Sequence, residues 1–496
     1  MADVLLGQAY YLRFDPKLQE AQQPYAPLGT LYAAAFLRER GHDVAVFDAM
    51  LALSVDEWDQ ALDGHRPRVA AVYEDSFNYL SKMCLLRMRE AAFDMIDRAS
   101  RRQVPVVISG SDATDHPELY LRRGAAAVIL GEGEMTLAEL VDRLSAGESI
   151  ATTAGIAHLD ETGTLRRTAA RPFIKSLDEL PFPAWDLIDT DRYRRIWTER
   201  HGYYSMNLAT TRGCPYHCNW CAKPIYGQRY ATRSPQAVVD EIAWLQQHFR
   251  PDHFWIVDDV FGLKPGWVEE FAELVTDRGV RTPFRCLMRA DQVTPAVASA
   301  LARAGCLMVW MGAESGSQKV LDAMEKGLSV ADIRQANRCL KAAGIKVGTF
   351  LQFGYPGETW TDIEATLQLV RELEPDDIGV SVSYPLPGTG FYERVRQELG
   401  VKQNWVDSSD LSTMYKATFS ADVYRRVHGM VHHELRAHRS GRVLSTLWRQ
   451  PWTIRPAHLR RAASWLYNQA ALSLLRARTR PLRSTAVLPE RRGAEA

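Results

Sequence analysis

Three cysteines lie close together near the middle of the chain: Cys214, Cys218 and Cys221, in the run RGCPYHCNWC that follows a predicted strand. Three thiolates within eight residues are one ligand fewer than a closed zinc or iron–sulfur site uses. A [4Fe–4S] cluster held by three cysteines keeps one iron open to a small molecule. The cysteines therefore indicate redox chemistry at an open metal centre.

Two other uses of these cysteines fit the sequence less well. Structural zinc requires four nitrogen or sulfur ligands, but the next cysteines, Cys286 and Cys306, are 65 and 85 residues away. His217 is adjacent to Cys218, so its ring cannot easily complete the same tetrahedron. Disulfides are also disfavoured, because 7 cysteines are an odd count and the chain shows no signal peptide. We expect a reduced, cytoplasmic protein.

The cysteine spacing, three residues and then two with an aromatic residue before the last cysteine, resembles the signature of radical S-adenosylmethionine (SAM) enzymes. The resemblance implies that SAM chelates the open iron through its amino and carboxylate groups. It also implies that a flavodoxin- or ferredoxin-type reductant supplies an electron, and that SAM is cleaved to methionine and a 5′-deoxyadenosyl radical. That radical would take hydrogen from an unactivated substrate carbon.

The composition is that of a large protein with balanced charge. The length of 496 residues suggests about three domains, and 46% hydrophobic residues suffice for their cores. Lys plus Arg equals Asp plus Glu at 60 each, so we expect no nucleic-acid partner. From residue 431 to the end, however, 13 arginines and no lysine stand against three acidic residues.

Residues 1–150 alternate apolar strand-like runs with helical patterns, which predicts a doubly wound parallel sheet. The predicted strands are Val4–Ala9, Val44–Asp48, Val69–Tyr73, Val104–Ser109 and Ala126–Leu130, and the main helices are Leu28–Arg40 and Tyr79–Ser100. Ligands bind at the carboxyl ends of such strands. Small residues there allow close approach to the backbone, and helix starts offer free N–H groups.

Two loops at these strand ends are candidate ligand sites, although each alone could be ordinary turn chemistry. Their candidate residues are Ser109, Gly110, Ser111 and Thr114 after the fourth strand, and Gly131, Glu132, Gly133 and Glu134 after the fifth. Together with the runs PLGT at 27–30 and GHDV at 41–44, they resemble the cobalamin-binding domain of B12-dependent radical SAM proteins. The Asp-x-His-x-x-Gly motif of other cobalamin domains is absent from the sequence, so we expect no axial histidine from it.

Residues 151–195 are interpreted as a linker, because Pro172, Pro181 and Pro183 favour an extended segment. Residues 196–400 alternate again, with six predicted strands: Ser205–Thr210, Phe254–Val257, Phe284–Met288, Met308–Gly312, Val347–Phe353 and Ile378–Ser383. Six β/α units in about 200 residues fall short of the ~250 typical of an eight-fold barrel. We therefore predict a partial (β/α)6 barrel, which also resembles the radical SAM core.

Polar residues follow the strands of this barrel where bound SAM would need them. Its ammonium group requires an acceptor, its carboxylate a cation or hydroxyl, its ribose an acid and its adenine apolar cover. The candidates are Asp258 or Asp259 for the ammonium group, Arg289 and Ser315 for the carboxylate, Glu314 for the ribose and Trp220 for the adenine.

Each of these residues also has a purely structural interpretation. The aspartates could cap a helix, and Arg289 could form an ion pair with Asp291. Glu314 could be an ordinary loop carboxylate, and Trp220 could belong to the core. The structural interpretation is favoured for Arg289 and Asp291, and the functional one for Glu314 and Trp220.

The C-terminal region, 401–496, is predicted to be mostly helical and basic, with a disordered tail around Pro489. Ala457–Arg478 is typical of an amphipathic basic helix. The helix could cap the open side of the barrel, lie on an anionic membrane surface or hold an anionic substrate. No run of 18 apolar residues predicts a membrane span.

The sequence thus predicts a cobalamin-dependent radical SAM enzyme, most simply a methyltransferase acting on a small-molecule or lipid-like substrate. Two alternatives stay open: an oxidative cyclase of the anaerobic magnesium-protoporphyrin ester cyclase type, and a cobalamin or redox sensor without catalysis. No catalytic residue beyond the cofactor ligands is assigned.

Overall fold

The first sheet contains seven strands in the order β2-β1-β3-β4-β5-β6-β7 in the computed structural model, which describes residues 2–449 and 456–483. The strands are β1 (Val4–Gly7), β2 (Val44–Phe47), β3 (Val69–Tyr73), β4 (Val106–Ser109), β5 (Ala127–Ile129), β6 (Ile156–Leu159) and β7 (Leu165–Arg167). The first five are parallel, and β6 and β7 add an antiparallel hairpin. The order 2-1-3-4-5 is that of a doubly wound, flavodoxin-like sheet.

Helices cover both faces of this sheet. They are α1 (Pro16–Ala21), α2 (Leu28–Glu39), α3 (Asp56–His65), α4 (Tyr79–Lys82), α5 (Leu86–Arg101), α6 (Ser111–Asp115), α7 (Pro117–Arg122) and α8 (Glu134–Ala146). Trp58 of α3 packs with Met95 of α5 in one core, whereas α2 and α8 contribute Leu37 and Leu140 to the core on the other face. The doubly wound arrangement confirms the predicted fold of this region.

The second large sheet is a half barrel of six parallel strands in the order β15-β14-β13-β12-β11-β8. They are β8 (Ser205–Leu208), β11 (His253–Ile256), β12 (Phe284–Met288), β13 (Cys306–Glu314), β14 (Lys346–Phe353) and β15 (Asp377–Val382). A short ladder, β9 (Thr211–Arg212) with β10 (Ala231–Thr232), flanks the cysteine loop. The predicted partial (β/α)6 barrel is confirmed.

The half barrel is covered on its outer side by helices, several of which begin with side-chain caps. The helices of this region are α9 (Thr190–His201), α10 (Pro235–Phe249), α11 (Trp267–Asp277), α12 (Pro295–Ala304), α13 (Gln318–Ala323), α14 (Val330–Ala342), α15 (Trp360–Leu373) and α16 (Gly390–Val395). Ser234 caps α10 by accepting a hydrogen bond from the Ala237 amide, with Pro235 in the first turn. Ser329 and Asp332 form a capping box on α14.

Two long helices complete the described chain: α17 (Ala421–Arg449) and α18 (Pro456–Thr479). Helix α17 packs against α15 and the edge strand β15, and α18 packs along α17. The cap on the open edge of the half barrel is therefore made by α17, with α18 outside it. Within the described ranges, no helix has the length and apolarity needed to cross a membrane. The tail around Pro489 lies outside the described residues.

Two local features differ from the predicted elements. The helix predicted over Tyr79–Ser100 is broken at Met83–Leu85, because Cys84 adopts a left-handed backbone with φ of 53°. The first amide groups of α5, on Leu86 and Arg87, donate to the carbonyls of Trp405 and Val406. The predicted linker, 151–195, contains the β6–β7 hairpin, which extends the first sheet.

Candidate functional site

The cysteine loop follows β9 at the carboxyl end of the half barrel. Gly213 precedes it with φ of +78°, and a Cβ at this position would lie 2.4 Å from the Arg229 carbonyl oxygen. Only glycine fits such a conformation and approach. Cys214, Cys218 and Cys221 are partly exposed and form no disulfide. The loop therefore presents three free thiols at the edge where β/α barrels carry their chemistry.

Asn219, between the second and third cysteines, fastens the loop to the rest of the barrel. Its amide donates to the Met324 carbonyl (3.0 Å), and its own carbonyl accepts from the Phe391 amide (2.8 Å). The Asn219 side chain donates to the Ala323 carbonyl (2.9 Å) and accepts from the Tyr355 hydroxyl (2.8 Å). Fixed backbone on both sides of Asn219 holds the thiols in place before any metal binds.

The donor set fits a [4Fe–4S] cluster. Burial raises the pKa of Cys214 and raises that of Cys221 to about 12, so metal binding has to displace protons there. Among the described residues, no three His, Cys, Asp or Glu side chains are grouped to hold a single metal ion. A cluster differs because each thiolate binds a separate iron. That Cys214, Cys218 and Cys221 are its ligands stays a prediction.

The two candidates for the SAM ammonium group have different partners. The buried Asp258 carboxylate accepts hydrogen bonds from the amides of Thr210 (2.7 Å) and Thr211 (3.0 Å), so it ties β11 to the start of the cysteine loop. Asp259 instead forms an ion pair with Lys82 of α4 (2.5 Å), across the boundary between the two sheets. Neither residue caps a helix, since α11 begins at Trp267.

Arg289 is held in place by several contacts. It forms an ion pair with Asp291 (3.0 Å) and donates to the carbonyls of Lys326 and Gly327 (3.1 Å each). Its guanidinium lies 3.6 Å from the ring centre of Tyr216, within the cysteine loop. The structural interpretation of Arg289 is thus realised, and its predicted role toward the SAM carboxylate stays a prediction.

Glu314 and Lys326 form a buried ion pair of 2.8 Å close to the cysteine loop. Glu314 has φ of +58° at the end of β13, and the Lys326 ammonium lies 5.8 Å from the Trp220 ring centre. The Trp220 indole N–H is buried without a partner among the described residues. Ser315 is fully buried and contacts the Thr366 hydroxyl (3.1 Å). The structure thus gathers Trp220, Glu314 and Lys326 on one side of the cysteines, whereas Ser315 supports the turn.

The two predicted cobalamin loops meet at the carboxyl edge of the first sheet. A Cβ at Gly110 would lie 2.7 Å from the Glu74 side chain, and one at Gly133 would lie 2.7 Å from the Tyr73 ring. Both loops therefore approach the end of β3 so closely that only glycine fits. Ser109 and Ser111 are buried beside Gly110, and Thr114 lies in α6.

This edge contains polar atoms that lack partners. Glu74 accepts a hydrogen bond from the Ala9 amide through one carboxylate oxygen (2.9 Å), and burial raises its pKa to about 8. Its other oxygen and the hydroxyls of Ser81 and Thr114 are buried without partners among the described residues. Glu74 and Ser81 line a small cavity with Gly110 and Ser111. Unpaired buried polar atoms are costly, so this edge fits a bound polar ligand such as cobalamin.

The carboxylates of the second loop face the cysteine loop. Glu132 and Glu134 form ion pairs with Arg212 at 2.6 and 2.7 Å, and all three side chains are at most 7% exposed. Arg212 comes two residues before Cys214. The sequence run contains Arg212, but only the packing of the two sheets reveals this contact. The predicted roles of Gly131, Glu132, Gly133 and Glu134 toward cobalamin stay predictions.

Helix α4 contributes a residue that sequence reasoning missed. The ring of Tyr79 is 59% exposed, yet enclosure by surrounding protein raises its pKa, and the charges of Glu314 and Cys221 raise it further. Tyr79 lies on α4, the helix whose Lys82 forms the ion pair with Asp259 of the half barrel. No signal in the sequence marked it, because it was placed within a single long helix.

The concave side of the half barrel carries aromatic rings. Trp310 alternates with the buried Val309 and Met311, so it lies on the face away from the helices. Its ring stacks on Phe350 with centroids 4.7 Å apart. Gly348 lies opposite Trp310 in register, and a Cβ there would lie 2.4 Å from the indole. This face could receive an apolar part of a small molecule.

Two family models match the chain. The B12 binding domain model matches residues 18–141, and the Radical SAM superfamily model matches residues 208–370. The first match contains both loops with unpartnered polar atoms, and the second contains the cysteine loop and strands β11 to β14. The matches thus cover the two edges described above.

Known relatives extend along most of the chain. An uncharacterized methyltransferase of Pyrococcus horikoshii is 28% identical over 392 residues, covering 76% of this chain and 80% of the relative. The anaerobic magnesium-protoporphyrin IX monomethyl ester cyclase of Rubrivivax gelatinosus is 25% identical over 390 residues, covering 76% and 67%.

A solved structure shares the arrangement of both sheets. The radical SAM methyltransferase TsrM of Kitasatospora setae, solved with cobalamin and a [4Fe–4S] cluster, superposes with a TM-score of 0.66 at 22% identity, covering 81% of this chain and 79% of that one. The chain therefore contains a B12 binding domain followed by a Radical SAM superfamily domain, whose half barrel carries three free cysteines at its edge.

Proposed function

We propose that the protein is a cobalamin-dependent radical SAM methyltransferase with a small-molecule substrate. One observation carries the proposal: the three-cysteine loop lies against the carboxyl edge of the B12-binding domain, joined to it by the ion pairs of Arg212 with Glu132 and Glu134. A methyl group carried at that edge would lie beside the place where SAM is cleaved. The relationship to the methyltransferase of Pyrococcus horikoshii supports the same reaction.

The bound groups would supply the chemistry, and the side chains of the protein would position SAM and cobalamin. When bound, the cluster held by Cys214, Cys218 and Cys221 would supply the electron that cleaves SAM, and cobalamin would carry the methyl group. The Glu314–Lys326 pair would orient the ribose, and Trp220 would cover the adenine, because both lie on one side of the cysteines. Loops 109–114 and 131–134 would hold cobalamin by backbone approach at Gly110 and Gly133.

Tyr79 would contact the substrate, because its ring is exposed and its helix α4 contacts the half barrel through the Lys82–Asp259 pair. The stacked Trp310 and Phe350 would receive an apolar part of the same molecule. A flavodoxin- or ferredoxin-type protein would deliver the electron. The substrate would be a small molecule with an apolar portion, which includes lipid-like compounds.

An oxidative cyclase is the weaker alternative. The cyclase of Rubrivivax gelatinosus is less identical and is covered over a smaller share of its length than the methyltransferase relative. The two reactions use SAM differently. Methyl transfer consumes one SAM to restore the methyl group and a second to form the radical, so S-adenosylhomocysteine and 5′-deoxyadenosine should accumulate together. Cyclisation yields 5′-deoxyadenosine without stoichiometric S-adenosylhomocysteine.

The product balance tests the proposal. The anaerobically reconstituted protein, loaded with hydroxocobalamin, is incubated with SAM, reductant and candidate substrates, and both nucleoside products are quantified. Equal amounts of the two support methyl transfer. Substrate-dependent 5′-deoxyadenosine alone supports the cyclase, and neither product from a protein that binds SAM supports a sensor.

We also propose that α18 rests on an anionic phospholipid membrane. Its outward face carries Leu466, Tyr467 and Leu474 at 61%, 66% and 50% exposure. Arg460, Arg461 and Arg478 flank these residues, and residues 456–479 contain no Asp or Glu. An apolar face with a basic border suits anionic lipid.

Vesicle flotation tests the membrane contact. The protein should float with phosphatidylglycerol vesicles and not with phosphatidylcholine vesicles, and Leu466→Ser with Leu474→Ser should abolish flotation. Binding to neither vesicle, or self-association in place of binding, would contradict it.

A further inference from the structure

The contact between the B12-binding domain and the cysteine loop is formed by charged side chains that are almost fully buried from solvent. The exposed fractions of the side chains are 5% for Arg212, 7% for Glu132 and 2% for Glu134. The Arg212 guanidinium lies 5.3 to 6.0 Å from the ring centres of Tyr32, Phe77 and Tyr226. Tyr32 and Phe77 precede the half barrel, whereas Tyr226 follows the cysteines. Both parts of the chain therefore enclose the arginine.

Arg212 is rigidly connected to the cysteine loop. Its backbone pairs with Ala231 in the β9–β10 ladder, and Gly213 turns the chain directly into Cys214. A shift of the guanidinium would thus be transmitted to the first cysteine within two residues. The ladder prevents the backbone from absorbing that shift locally.

The two glutamates are connected equally closely to the cobalamin loop. Glu132 and Glu134 flank Gly133, whose backbone lies against the ring of Tyr73. Glu132 also accepts a hydrogen bond from the Ile174 amide (2.6 Å), and a Cβ at Gly131 would lie 3.5 Å from the Ile225 carbonyl oxygen. The loop therefore contacts the cysteine region through its backbone as well as its charges.

One guanidinium is shared by two carboxylates, each with its own N–H group. Only arginine offers donors in such a planar fork, and a lysine ammonium could not reproduce the geometry. Any movement of loop 131–134 upon ligand binding would have to reposition Arg212, because a buried carboxylate left without its cation is costly. The triad is thus suited to communicate between the two loops.

We propose that Arg212, held by Glu132 and Glu134, is a positioning residue that couples cobalamin binding to cluster binding. Occupancy of either site would set the geometry of the other, so that SAM cleavage proceeds only in the doubly loaded protein. This inference rests on the proposed function, because it assumes that both groups bind. It assigns no contact between Arg212 and SAM, cobalamin or the cluster.

Linkage provides a test that does not require the substrate. The dissociation constant of hydroxocobalamin is measured by equilibrium dialysis on cluster-free and cluster-loaded protein. Coupled sites typically change one another's affinity by about 5- to 150-fold, and the effect is reciprocal. We expect cobalamin to bind the cluster-loaded wild type at least about 5-fold more tightly, and Arg212→Gln to reduce the ratio to about one.

Arg212→Lys is a second variant for the case that Arg212→Gln misfolds. It keeps the positive charge but loses the planar guanidinium that donates to both glutamates. It should bind iron and cobalamin and still show a ratio near one. The matched control is Arg233→Lys, which alters another buried arginine–glutamate pair, with Glu241, and should keep the wild-type ratio.

A wild-type ratio near one, or an unchanged ratio in Arg212→Lys, would overturn the inference while leaving the proposed function intact. If the ratio of dissociation constants also fell to about one in Arg233→Lys, the loss of coupling would not be specific to Arg212, and the role proposed for Arg212 would be wrong. A wild type that binds neither hydroxocobalamin nor iron would instead remove the proposed function itself.

Discussion

The carboxyl edges of the two sheets differ in how their polar groups are satisfied. At the first edge, an oxygen of Glu74 and the hydroxyls of Ser81 and Thr114 are buried without partners in the described part of the chain. At the half-barrel edge, Glu314 is paired with Lys326, and Arg289 with Asp291. The polar groups of the first edge are left for a ligand to satisfy, whereas the charged groups of the second edge are paired within the protein. The groups left free at the second edge include the three thiols and the Trp220 indole N–H.

Removing one charge from the half-barrel edge should have the largest effect on stability. Lys326→Ala leaves the Glu314 carboxylate buried and unpaired, which costs about 3–5 kcal/mol. We expect a large drop in the midpoint of denaturant unfolding. The double variant Lys326→Met with Glu314→Gln should recover much of the lost stability, but its affinity for SAM should stay below that of the wild type. Full SAM affinity in the double variant would show that the pair is only structural.

The unsatisfied edge should reveal itself through pH. Burial raises the Glu74 pKa from 4.5 to about 8, so the folded protein keeps a proton that the unfolded chain releases above pH 4.5. Stability should therefore fall as the pH rises from about 4.5 to about 8 and then level off. Thermal melting of Glu74→Gln should show a flatter profile over this window. An identical profile in both proteins would place the titrating group elsewhere.

The Lys82–Asp259 pair should make the smallest contribution. Its side chains are 22% and 32% exposed, and pairs of this kind contribute about 0.2–1 kcal/mol. Lys82→Met should shift the unfolding midpoint only slightly, as should the control Lys319→Met, which breaks the ion pair with Asp362. A much larger loss in Lys82→Met would mean that this pair, and not the Arg212 triad, holds the two regions together.

The features that could be predicted from the sequence are those that depend on residues close together in the chain. The cysteine loop, the six strands of the half barrel and the glycine-rich loops are local patterns. The structure contains all six strands, and it places the cysteine loop and the glycine-rich loops at strand ends. The break at Cys84 could not be predicted, because the carbonyls of Trp405 and Val406, more than 300 residues away, cap the helix that follows it.

The residues missed at the candidate site share the same cause. Arg212 and Lys82 have their charged partners in the other region of the chain. Lys326 pairs with Glu314 across the short helix α13, and the sequence pattern does not predict that the two side chains meet. Charges and rings at a domain interface carry no periodic signal, so their roles follow only from the packing.

Electron paramagnetic resonance of the reconstituted, dithionite-reduced protein would test whether Cys214, Cys218 and Cys221 hold a [4Fe–4S] cluster with one iron open to SAM. We expect a [4Fe–4S]⁺ signal that shifts when SAM is added, because one iron would lack a protein ligand. Cys218→Ala should lose the signal, and Cys339→Ala, which alters a buried cysteine outside the loop, should keep it. A full cluster whose signal does not change with SAM would show that no iron is open to SAM, and a signal that survives Cys218→Ala would show that Cys218 is not a ligand.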